Sequence, residues 1–196
     1  MTDLHINAKL NFAWHSQAMS DENKPSKPSY TAESARSLIM APDAYYQSQY
    51  DPYSNPEVEA MAQQVAKSYG LEKTPRFVTP DSRDMATEMR AVTSQEGNSY
   101  IIVPSRFSVK DIKNALPHEM AHFKNGDVSA AGIAERYNTS DLGAFSRALE
   151  TRADATTAQY GYGQNTIDAL ESGRPYAKAD DPDHPDLDAR IYAIKA

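Results

Sequence analysis

Cysteine is absent from the 196 residues. That excludes disulfide frameworks, thiolate zinc ligands and a cysteine nucleophile together. Positive charge is also in short supply, with 20 Lys+Arg against 27 Asp+Glu and a net charge of −7. An acidic surface repels phosphate backbones, so no nucleic-acid partner is expected. No apolar run approaches the roughly 20 residues that a bilayer-spanning helix needs, so no transmembrane segment is expected. The opening residues Met1, Thr2, Asp3 and Leu4 lack the basic-then-apolar pattern of a cleaved export signal. The cytoplasm is therefore the default compartment. A chain without cysteine equally suits export by a route that uses no cleaved signal.

Composition divides the chain in two. Residues 1–54 read as a polar N-terminal extension, partly disordered or draped on the rest. Within it, residues 16–30 are rich in Ser, Asp, Glu, Asn, Lys and Pro. Residues 4–14 and 31–40 are short candidates for order, and Trp14, the single tryptophan, is a candidate docking point. Residues 44–53 carry Tyr45, Tyr46, Tyr50 and Tyr53 among polar residues and read as a loop.

A compact domain is expected over residues 55–196. Asn55 followed by Pro56, with Glu57 and Glu59 in the first turn, signals a helix start. Val58, Met61, Ala62, Val65 and Ala66 make one apolar stripe, and Gly70 ends it. Strands are expected over residues 75–79, 85–93 and 99–103, the last two joined by a turn at residues 95–98. Ser108 caps a helix that Gly126 closes, and Pro117 should bend it. Further helices are expected at about 141–160, 165–172 and 186–194. This order of elements reads as α+β.

The chemistry concentrates at His118-Glu119-Met120-Ala121-His122, an HExxH pattern. On a helix, positions i and i+4 share a face one turn apart. Two imidazoles so placed can hold one Zn²⁺, and the intervening Glu119 can act on a water there. A third ligand is required. Glu150 and Asp154 are also spaced i, i+4, and a glutamate there could reach the ion while the aspartate holds a ligating ring. The same spacing, with Arg147 nearby, also makes an ordinary charged helix face.

Three blocks resemble the gluzincin peptidases that include the CAAX prenyl protease and the heat-shock membrane protease HtpX. His118-Glu119-x-x-His122-x-x-Asn125-Gly126-Asp127 is similar to that family's HExxHxxNGD. Arg147-x-x-Glu150-x-x-Ala153-Asp154 is similar to its RxxExxAD, and His184-Pro185 followed by Arg190-Ile191 is similar to its HPxxxxRI. The blocks occur in the family's order and span about residues 56–196.

The resemblance implies a zincin-like fold, with a small mixed sheet, an active-site helix and a glutamate helix. It implies one Zn²⁺ per chain on His118, His122 and Glu150, Glu119 as general base and Asp154 behind a ligand. It places His184 and Arg190 beside the metal, with His184 either stabilising an oxyanion or gating the site. Known members are membrane-embedded, so this chain would be a soluble, minimal version.

The expected activity is zinc-dependent endopeptidase cleavage of a peptide or protein substrate. Tyr100, Ile101, Ile102 and Val103 are the expected substrate-binding strand, pairing with an extended chain by β-addition. Two other readings stand beside it: a latent or non-cleaving zinc-stabilised binding module, and an exported effector protease. Residues 1–50 could inhibit the site by occlusion or through His5, His15 or Asp43. They could equally engage a partner or transport factor.

Overall fold

The structure, a computed structural model, describes residues 29–80, 88–176 and 184–196. Eight α-helices and four strands are present among these residues: α1 (Ala32–Leu38), α2 (Asp43–Gln49), β1 (Tyr50–Pro52), α3 (Pro56–Tyr69), β2 (Arg76–Pro80), β3 (Arg90–Thr93), β4 (Ser99–Ile102), α4 (Val109–Asn125), α5 (Ala130–Asn138), α6 (Leu142–Gln159), α7 (Gly163–Gly173) and α8 (Leu187–Lys195). This is the expected α+β class. None of these helices is long and apolar enough to cross a membrane.

Local chemistry explains the helix that matters most. Ser108 accepts the Asp111 backbone N–H at its start, and Asp111 returns a bond to the Ser108 backbone. Gly126 takes a left-handed φ of 78° at its end. Between them α4 runs unbroken through Pro117, where a bend was expected. The buried Tyr69 hydroxyl donates to the Pro117 carbonyl at 3.1 Å, tying α3 to α4 at that point.

The sheet has the order β1-β2-β4-β3, with β2 and β4 parallel and the outer pairs antiparallel. Its inner face presents Phe77 and Ile101, joined by Val103 just beyond β4, to Val58, Ala62, Val65 and Tyr69 of α3 and to Ile112, Leu116 and Met120 of α4. Its outer face presents Val78, Tyr100 and Ile102 to Tyr46 of α2. Alternation along β4 sends successive side chains to opposite faces, and both faces are covered.

That topology corrects the expected substrate strand. Tyr100, Ile101, Ile102 and Val103 are all buried. β4 pairs with β2 on one side and β3 on the other, so neither of its edges is open to a peptide. The sheet edge on the α4 side belongs to β3.

Three further differences concern local structure. Residues 44–53 form α2 and β1 rather than a loop, because Tyr46 stacks on Tyr100 at 4.7 Å and β1 pairs with residues 78–80. Helix α5 was not expected at all. The second expected strand, residues 85–93, is observed as Arg90–Thr93, its first residues lying outside those described. Tyr30 lies edge-on to Tyr137, and its backbone bonds to Asn138, so the first described residues lie beside α5. Trp14, His5 and His15 lie outside the described residues.

Candidate metal centre

His118 and His122 stand one turn apart on α4, with ring centroids 5.0 Å apart. Helix α6 brings Glu150 across both. Glu150 Oε2 lies 3.1 Å from His118 Nε2, and Oε1 lies 3.5 Å from His122 Nε2. One ligand atom from each residue lies within 4.8 Å of the others, and this is the group among the described residues that could hold a metal ion.

The opposite nitrogen of each ring faces an aspartate. His118 Nδ1 is 2.9 Å from Asp154 Oδ1, though its N–H is poorly aligned with that oxygen. His122 Nδ1 is 2.8 Å from Asp127 Oδ2. Both Nε2 atoms thus face the Glu150 carboxylate. Two imidazoles, each backed by an aspartate, and one carboxylate are a donor set of the kind that binds a divalent metal once both Nε2 atoms are unprotonated.

Arg190, on α8, forks onto Asp154 through Nε at 2.7 Å and Nη2 at 2.9 Å. The same Nη2 lies 3.3 Å from Glu150 Oε2. Arg190 therefore holds the carboxylates rather than standing free to meet a ligand. Glu119 Oε2 accepts the Ala91 backbone N–H of β3 at 2.8 Å, which fixes this carboxylate against the sheet edge. His184 is half-buried on the segment leading into α8 and lies outside the ligand group. Asp43 sits by the outer face, where Asn98 and the Tyr100 hydroxyl bond to it, and is not in that group either.

Electrostatics separates the two glutamates. Burial pushes the Glu119 carboxyl up and prevails over the lowering charges of His118 and His122, with Glu150 adding to the rise. Burial acts on Glu150 in the same sense, but the bond and charge of His118, then His122 and Arg190, hold it well below the usual carboxylate range. A base wants its pKa lifted toward neutrality, whereas a ligand must stay ionised. Burial alone would lower His118, yet its bonds to Asp154 and then Glu150 prevail and push it up to about 10. Asp154 is likewise lowered, its burial outweighed by His118 and Arg190.

Sequence reading assigned no role to Asp127. The signal was present, since Asp127 closes the block that begins at His118. What it lacked was the path of the chain: Gly126 turns it back so that Asp127 N bonds to the His122 carbonyl at 3.0 Å.

The fold is similar to that of S. mikatae Ste24p in its crystal structure, with a TM-score of 0.53 at 15% identity. The match covers 83% of this chain and 54% of that one, so the chain spans about half the length of Ste24p. No family model and no curated protein matches the sequence.

Proposed function

We propose that the chain is a zinc-dependent endopeptidase with a zincin-like active site. The observation that carries this is the convergence of His118 Nε2, His122 Nε2 and the Glu150 carboxylate, with Glu119 on the same helix turn. The three sequence blocks and the fold shared with Ste24p, a CAAX prenyl protease of the gluzincin group, support it.

His118, His122 and Glu150 would hold the ion, which when bound would act as a Lewis acid on a water and on a substrate carbonyl. Glu119, its pKa raised, takes the proton of the attacking water and passes it to the leaving amine. Asp154, gripped by Arg190, fixes the His118 ring. His184, on the segment leading into α8, is assigned from the third sequence block either to the developing oxyanion or to gating the site. An extended substrate would pair with the outer edge of β3. Antiparallel pairing leaves alternate backbone groups of that strand pointing away from β4, and the Ala91 N–H, bonded to Glu119, is one of them.

Glu119→Gln keeps the side chain's size and cannot accept a proton. Zinc content should be unchanged, while cleavage of a susceptible unstructured protein falls by at least about 10²-fold. Equal cleavage by the two proteins would reject the assignment. His184→Ala should also slow cleavage with zinc retained.

A further inference from the structure

Each histidine of the centre is backed by an aspartate, and each aspartate by an arginine, but the two arms are built differently. Behind His118, Asp154 and Arg190 both come from helices and both are buried, with side chains 4% and 8% exposed. Behind His122, Asp127 comes from a turn, and its arginine, Arg152, is half exposed at 51%. Asp127 itself is 1% exposed.

A buried carboxylate on a turn needs something to hold it. Four contacts do so. Arg152 Nη2 bonds to Asp127 Oδ1. The Asp127 backbone N–H returns to the His122 carbonyl. Ser129 Oγ donates to the Gly126 carbonyl at 2.7 Å and also accepts the Gly132 N–H. Finally, α5 packs its Gly132 directly on the turn. A Cβ at position 132 would lie 2.4 Å from the Gly126 carbonyl oxygen and 2.6 Å from that of Asp127. Those are backbone atoms, so a side chain there would move the turn itself.

We propose that Asp127 is the positioning residue for His122, and that Arg152 and the Gly132 seat on α5 act through it. An ionised carboxylate only accepts, so Asp127 places the ring proton on Nδ1 and leaves Nε2 free to ligate. The inference takes the metal reading above as its basis for zinc affinity. Its ring-proton consequence stands without it.

The test uses the full chain and two readouts. Zinc affinity is measured by competition with a chelator, and the His122 Nδ1–H is followed by proton–nitrogen NMR. Asp127→Asn should weaken zinc binding about 10- to 100-fold and lose the slowly exchanging Nδ1–H signal. Gly132→Ala should weaken zinc binding and broaden or shift that signal. Arg152→Ala should give a loss of roughly a few-fold, as suits a half-exposed ion pair. Arg152 bonds Asp127 through one nitrogen, so Arg152→Lys should restore most of that loss.

A purely structural role would lower the melting temperature and leave the ring proton untouched. If folded Gly132→Ala and Arg152→Ala both keep the wild-type Nδ1–H signal, and every folded variant binds zinc within about twofold of wild type, the proposal is overturned. If Asp127→Asn fails to fold, those two variants decide. If wild type takes up no zinc, the metal reading fails instead, and the Nδ1–H signal of the zinc-free chain still decides this proposal.

Discussion

The sheet's two faces are covered unequally. Beneath it, α3 and α4 seal Val58, Val65, Tyr69, Ile112, Leu116 and Met120 against Phe77 and Ile101. Above it, the seven-residue helix α2 lays Tyr46 over Val78, Tyr100 and Ile102. The inner face also carries the candidate metal centre, because Leu116 and Met120 share α4 with His118, Glu119 and His122. The difference teaches where stability and site are one property and where they separate. On the inner face a packing defect is also a defect in ligand geometry. On the outer face a defect loosens the attachment of residues ahead of α3 and leaves the ligands in place.

The largest effect is expected from Leu116→Ala. Leu116 is fully buried in the core cluster that joins α3, α4 and the sheet, and such truncations cost about 2–5 kcal/mol. Denaturant unfolding should show that loss, and chelator competition should show weaker zinc binding in the same variant. Stability lost with zinc affinity intact would break the comparison.

Tyr46→Ala is the matching defect on the outer face. Tyr46 is 7% exposed and belongs to α2, a short helix that can resettle. A loss of about 2 kcal/mol is expected, below the usual range for a buried aromatic. Zinc affinity should stay at the wild-type value. The same logic applies to truncation. A chain beginning near Asn55 lacks α2 and β1 and uncovers Tyr100, whereas one beginning at Ser29 keeps both. Tests of inhibition by the N-terminal residues should therefore start at Ser29.

The dependence of stability on pH sharpens the contrast. In the zinc-free chain, hydrogen bonds and charge from Asp154 and Glu150 overcome burial and raise His118 from 6.5 to about 10. Folded protein then holds a proton that unfolded protein releases. The contribution is complete below pH 6.5 and is lost as pH rises through about 10. On the outer face, burial and the neighbouring tyrosines raise Tyr46 from 10.0 to about 12. Its contribution is intact below pH 10 and is lost as pH rises through about 12. Stability measured from pH 7 to 9.5 should therefore fall in wild type through His118. The slope should flatten in His118→Gln and persist in Tyr46→Phe.

Much of the inner face was legible because its signals are local. Asn55 before Pro56, Ser108 with Asp111, and the left-handed glycines 70 and 126 mark helix ends by chemistry that acts within a few residues. The i, i+4 histidines share a face by helix geometry alone. The outer face was not legible in that way. β1 is three residues ending in proline, and it is a strand because residues 78–80 pair with it. Helix α5 did carry a local cap at Ser129, but Gly132 weakens its helical pattern, and the reason for that glycine is close contact with the backbone of the turn just before the helix. The choice of β4 as substrate strand failed for a related reason. An unbroken apolar run from Tyr100 to Val103 signals a strand covered on both faces, which is a central strand rather than an edge. Asp127 was quoted within a block and left without a role because its meeting with His122 depends on the turn that Gly126 makes.

The central claim is that His118, His122 and Glu150 form one zinc site. The direct measurement is an equilibrium zinc titration of the full chain beside Glu150→Ala, with both proteins shown to be folded. The account predicts one tightly held ion per wild-type chain and a large loss of affinity in the variant. Wild-type protein that binds no zinc, or a variant that binds it equally well, would contradict the account.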